Sequence, residues 1–198
     1  WDGNVLSWRL NEGKYVLALK DVFRGKEIWR RELSTAAKGC LVGNDEFAVL
    51  EPNGDFIVLS IRDGKISIQS KVRPEVGLIN IRVLRSAAQY HLITNRRYNA
   101  PAVNGVQVRP LNSVASLITG RVYAFDRATG QAQWQTPAAV TRYSLPDAQP
   151  SDAPTLLFLR RVSWKRVGSR ANTLRTEVLC LDKRSGRAVA QRSRGAGI

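Results

Sequence analysis

"GRVYAFDRATGQAQW", residues Gly120 to Trp134, joins a strand pattern, a tight turn and the start of a second strand. Asp126 ends the incoming strand, where its carboxylate can accept hydrogen bonds from turn N–H groups. Thr129 can support it, and Gly130 can take the left-handed conformation that closes a four-residue hairpin loop. Four residues beyond that glycine, Trp134 emerges on one face of the outgoing strand. A ring so large and flat must find cover on a neighbouring sheet. One hairpin cannot provide that cover, so the stretch predicts further copies of itself.

The copies are there. Asp126 to Gly130 (DRATG) has a cognate at Asp182 to Gly186 (DKRSG), with Ser185 in place of Thr129, and looser ones close at Gly25 and Gly64. The closing glycines lie about 39, 66 and 56 residues apart, near the ~40–50-residue period of propeller blades once long loops are allowed. Between them, short runs of Val, Ile, Leu, Phe and Tyr are bounded by Gly, Asn, Asp or Pro, with little helical spacing. Val5 to Leu33 reads as three strands turning at Asn11-Glu12-Gly13 and near Arg24-Gly25. Glu46 to Val72 reads as a second meander turning at Pro52-Asn53-Gly54 and Asp63-Gly64. Turns this short make the strands antiparallel neighbours. The chain is expected to be all-β, with about four blades of four-stranded antiparallel sheet at roughly 1–38, 39–75, 76–140 and 141–198.

Ala124 to Trp134 resembles the tryptophan-docking repeat of the PQQ-like β-propellers, which include quinoprotein alcohol dehydrogenases and non-catalytic scaffold relatives. The resemblance implies that Ala124 leaves room for a neighbouring blade's Trp, that Gly130 offers backbone for it to stack on, that Asp126 and Thr129 brace the turn, and that Trp134 is the docking ring. Gly25, Trp29, Asp182 and Gly186 take the corresponding places in other copies. The first copy has Leu19 where Ala is expected and Ala18 one residue early, which requires either a one-residue bulge or a substitution. Around Asp182 the Ala place holds Cys180 and the Trp place Ala190; around Gly64 the Asp place holds Ser60 and the Trp place Ile68. Those two copies are not expected to dock a Trp. The family forms rings of six to eight blades, so four units imply a partial ring completed by another segment or chain.

The chain has 198 residues, with Lys plus Arg 31 against 16 acids for a formal charge of +15. That surplus favours anionic partners without naming one. No run approaches the ~18–20 apolar residues of a membrane helix, and Trp1-Asp2-Gly3-Asn4 lacks a signal pattern. With no Met anywhere, the chain reads as a processed product or an excised domain. Cys40 and Cys180 are expected to be unpaired structural thiols, without metal-motif spacing.

A quinoprotein dehydrogenase of the resembling family would need a vicinal disulfide, a Ca²⁺ site and a catalytic Asp. No cysteines are adjacent and no hard-cation cluster is evident. His91 is the sole histidine; it reads as a half-buried strand residue, and no nucleophile turn accompanies it. No catalytic residue, cofactor or metal is therefore expected.

Basic pairs crowd the second half of the chain. Arg160, Arg161, Lys165, Arg166 and Arg170, with Trp164, Tyr98 and Tyr143 nearby, are candidate contacts to nucleic acid or an acidic polysaccharide; a solvated strand face is the plainer account. Arg96 to Ser113 and Thr136 to Pro154 read as insertions, either recognition loops or surface filler, and Ser163 to Arg175 as a basic mobile stretch. The function expected is a non-catalytic propeller scaffold for protein–protein contacts, periplasmic or at the cell surface. The alternatives are a segment of a quinoprotein-type enzyme whose catalytic residues lie elsewhere, and a polyanion-binding propeller.

Overall fold

A computed structural model describes residues 3–98, 106–110, 116–146, 149–150, 152–165 and 172–196, and every regular element among them is a strand. The chain divides into two compact units, residues 1–92 with 125–132, and residues 93–124 with 133–198.

The first unit opens with a three-stranded antiparallel sheet, β1 (Asn4–Asn11), β2 (Lys14–Asp21) and β3 (Lys26–Leu33), in sequence order. Glu12 and Gly13 both have positive φ, 48° and 76°, the conformation a two-residue hairpin loop demands. A four-stranded sheet follows, β4 (Lys38–Val42), β5 (Glu46–Leu50), β6 (Asp55–Ser60) and β7 (Ile66–Lys71), again in sequence order. β5 is buried throughout and β6 nearly so, as their continuous apolar runs require of strands covered on both faces. Leu17, Leu19, Leu33, Phe47, Val49, Ile57 and Leu59 form one core, with Trp8, Tyr15 and Trp29 packed on it.

The remaining strands are β8 (Leu78–Arg85), β9 (Gln89–Arg96), β10 (Val106–Arg109), β11 (Leu117–Asp126), β12 (Ala138–Ser144), β13 (Thr155–Lys165), β14 (Asn172–Asp182) and β15 (Ala188–Ala196). They pair in the order β15-β14-β13-β12-β11-β9-β8, with β10 beside β13. Among the described residues β12 pairs with β13 at one position, Ser144 with Leu159, so backbone pairing divides the eight strands into two groups of four that are linked mainly through side chains.

The all-β antiparallel architecture is the one read from the sequence, with three departures in detail. The first sheet has three strands among the described residues rather than four. The expected insertions are partly structural: Arg96 to Ser113 contributes β10, and Thr136 to Pro154 contains β12. Among the described residues, no regular strand lies between β12 and β13. There the Gln149 amide bonds both the N–H and the carbonyl of Leu157, at 3.1 and 2.7 Å, doing with a side chain what a neighbouring strand does with backbone. Ser163 to Lys165 and Asn172 to Arg175 extend β13 and β14; 166–171 lie outside the described residues.

Candidate functional site

The glycines that close the four turns share one left-handed backbone conformation. Gly25, Gly64, Gly130 and Gly186 have φ of 63°, 69°, 73° and 70°. Asp126 Oδ1 accepts from the N–H groups of Ala128 and Thr129 at 3.0 and 2.8 Å and from the Thr129 hydroxyl at 3.0 Å. Asp182 Oδ1 accepts from Arg184 N, Ser185 N and the Ser185 hydroxyl at 2.8, 2.7 and 3.0 Å. Those bonds hold the Asp182 carboxyl below its ordinary value of 3.8, the Ser185 N–H contributing most, because they favour the charged form. In the first copy Asp21 accepts from Phe23 N and Arg24 N. In the second, Ser60 bonds Gly64 and Lys65 through its backbone, and its side chain bonds Asp63 within the same turn.

Strand register settles the first copy. Leu19 pairs with Trp29 and Lys20 with Glu27, a bulge also found at Val58/Leu59 and at Cys180/Leu181. A bulge common to the copies displaces nothing, so Leu19 is a substitution at the Ala place. Ala124 is buried, and its carbonyl accepts from Gln133 N at 2.8 Å.

Each of the last three turns receives the residue four places past the preceding copy's glycine. In the first unit, a Cβ placed on Gly64 would lie 2.8 Å from the Trp29 ring, and one on Gly130 3.3 Å from Ile68 Cβ. In the second unit, one on Gly186 would lie 2.6 Å from the Trp134 ring. The indole N–H of Trp29 donates to the Ile61 carbonyl at 2.7 Å, and that of Trp134 to the Lys183 carbonyl at 2.9 Å. Both acceptors stand three residues before the receiving glycine. The degraded turns at Gly64 and Gly186, not expected to dock a Trp, are thus the ones that receive one. The ring needs only a bare glycine and a carbonyl, and Val58 or Cys180 in the Ala place does not obstruct it. Ile68 as a docking residue was not read from the sequence; its four-residue offset from Gly64 was the available signal. Gly25, at the head of the series, has nothing within 4 Å of a Cβ placed on it, and Phe23 beside it is 86% exposed.

The basic candidates separate. Arg160 lies over the Tyr143 ring at 4.3 Å, bonds Glu177 at 2.7 Å and donates to the Thr141 carbonyl at 3.0 Å, so it is engaged internally. It lines a cleft of about 380 Å³ with Tyr143, Leu179, Leu181 and Gly186. Arg161, one position on, is exposed. Lys165 ends β13; Arg166 and Arg170 lie outside the described residues. His91 is 1% exposed, deeper than expected.

Two polar assemblies escaped the sequence reading. Buried Glu46 accepts from the Tyr90 hydroxyl at 2.6 Å and from Arg85 at 3.0 Å, and Arg127 reaches the same hydroxyl at 3.3 Å. Burial, then the Glu46 bond, pushes the Tyr90 phenol up to about 12. Arg142, a non-glycine residue at φ 57°, donates to the Val108 carbonyl at 3.2 Å and lies over Tyr98, holding β10. Cys40 and Cys180 are free, and burial raises the Cys40 thiol to about 11. Among the described residues, no group of three His, Cys, Asp or Glu could hold a metal ion, and no helix is long and apolar enough to cross a membrane.

A family model described as "Outer membrane protein assembly factor BamB" matches residues 3–161. No curated protein matches the chain. Among solved structures, the chain is similar to a europium-containing methanol dehydrogenase, at 13% identity and TM-score 0.40, over 94% of this chain and 41% of that one. It is similar to BamB from Moraxella catarrhalis at 11% identity and TM-score 0.30, over 96% and 77%. A third similarity is to the quinohemoprotein alcohol dehydrogenase from Comamonas testosteroni, at 11% and 0.40, over 96% and 37%. The chain spans less than half the length of either dehydrogenase.

Proposed function

This chain belongs to the PQQ-like propeller family whose model carries the BamB description, and from that premise we propose that it is a non-catalytic propeller segment acting as a scaffold for protein–protein contacts, in a larger extracytoplasmic protein or complex. The observation that carries this reading is the direction of docking. Trp29, Ile68 and Trp134 each seat on the next turn's glycine, while among the described residues nothing lies within 4 Å of a Cβ placed on Gly25. Gly25 offers the same left-handed backbone as the turns that receive a ring, so a further blade or a partner's apolar side chain has a seat there. Rigidity comes from the docked rings, and contacts from what the sheets leave uncovered.

The quinone chemistry of the dehydrogenases does not fit these residues. Cys40 and Cys180 stand apart in the sequence, so no vicinal disulfide can floor a quinone, and the described carboxylates do not gather into a cation site. Incubation with PQQ and Ca²⁺ is expected to leave no bound quinone absorbance after desalting; a bound quinone would defeat the scaffold reading. Size exclusion is expected to show self-association or co-elution with a partner segment, and a compact monomer would remove the partial-ring element.

A further inference from the structure

In the second unit, β10, β13, β14 and β15 form a four-stranded patch whose register runs Arg109 with Arg161, Arg161 with Thr176, and Thr176 with Arg194. Residues opposite one another share a face of the sheet, and neighbours along a strand alternate between faces. Arg160 pairs across the strands with Glu177, and the two form their ion pair on one face. Arg161 and Arg109 therefore occupy the other.

These four strands contain two acids, Glu177 and Asp182. Glu177 belongs to the Arg160 face. Asp182 pairs with Thr155, six residues along β13 from Arg161 or roughly 20 Å at strand rise, and its carboxylate is held within its own turn. No ion pair involves Arg109 or Arg161 among the described residues; Arg109 bonds Gln107 Oε1 on its own strand at 2.6 Å. Like charges directly opposite in a sheet repel. Both side chains are exposed, which leaves an external anion to relieve the repulsion.

The same face carries an apolar residue and lacks an aromatic one among the described side chains. Leu174 pairs with Ser163, next but one to Arg161, and is 44% exposed. Trp164 pairs with Val106 and Thr173, which puts it on the Arg160 face, so the stacking platform of single-strand nucleic acid binders is missing beside Arg161.

We propose that this face docks flat on a membrane surface bearing anionic phosphate headgroups, with Arg109 and Arg161 meeting phosphates and Leu174 entering the interfacial layer. This surface is independent of the scaffold reading and survives its failure.

The test is co-sedimentation of the full chain with phosphatidylcholine vesicles, with and without phosphatidylglycerol. Binding is expected only to the anionic vesicles and to fall as salt rises. Arg109→Gln and Arg161→Gln are each expected to weaken partition about fivefold, and Leu174→Ser to weaken it further. Arg9→Gln, an exposed cation in the first sheet, removes the same charge and is expected to change partition little. Unchanged melting temperatures confirm that the variants fold. Equal binding to neutral vesicles, no loss in Arg161→Gln, or an equal loss in Arg9→Gln overturns the proposal. So does tighter binding of oligothymidylate or polyglutamate lost in the same variants, which would assign the face to nucleic acid or to an acidic protein.

Discussion

Trp134 is 6% exposed, seats on Gly186 and donates to Lys183, so its ring contributes both apolar burial and a satisfied indole N–H. Trp134→Ala is expected to cost about 3–5 kcal/mol in urea unfolding, and Trp29→Ala, at a half-buried ring, less. An unchanged midpoint for Trp134→Ala would remove the docking role. The glycines separate conformation from contact. Ala at Gly25 meets no atom and suffers only the left-handed backbone, about 1–2 kcal/mol; Ala at Gly186 must also displace the indole, and the excess between the two variants measures the seat. At Asp182 the folded carboxyl is depressed, so its stabilising contribution is complete above the unfolded value and is lost as pH falls through the folded one. An NMR titration is expected to show a midpoint below 3.8, moving up in Ser185→Ala. The bracing of the turn was legible because Asp, Thr and Gly act within five residues of chain. That Ile68 seats on Gly130 was not, since the position is recognised by its place in a series and an Ile announces nothing by itself.

At the scale of elements, β10 is the least anticipated. Four residues, Val106 to Arg109, pair with β13 more than fifty positions further along the chain, and nothing local in VQVR specifies that partner. Arg142 holds the strand through Val108 at the cost of a left-handed backbone, of the order of 1–3 kcal/mol for a non-glycine residue. Arg142→Gly removes both the strain and the bond. It is expected to speed hydrogen exchange at the β10 amides while moving the global midpoint little, whereas unaltered β10 exchange would mean the strand is held by its pairing to β13 alone. The hairpins of the first two sheets were readable because glycine turns and alternating apolar residues act over short separations. The bulge opposite Trp29, Ile68 and Ala190 needed the registers of three copies side by side.

Across the whole molecule, a formal charge of +15 sets self-repulsion against a core assembled strand by strand. Raising NaCl from about 0.1 to 1 M shortens the screening length from about 10 to 3 Å and is expected to raise the melting temperature; a fall would mean that ion pairs such as Arg160–Glu177 outweigh the net charge. Within the sequence lay the all-β class, the four glycine-closed turns, the docking residue of the strongest copy and the cation excess, because each follows from residues near one another in the chain. Tertiary structure alone decided which turn receives which ring, that an inserted strand and one glutamine amide line the edge of β13, and that Arg160 is neutralised while Arg161 faces out. The reason is geometric: seats, edges and faces are made between segments distant in sequence, and alternation along a strand can separate two neighbouring arginines onto opposite faces while naming neither face's partner.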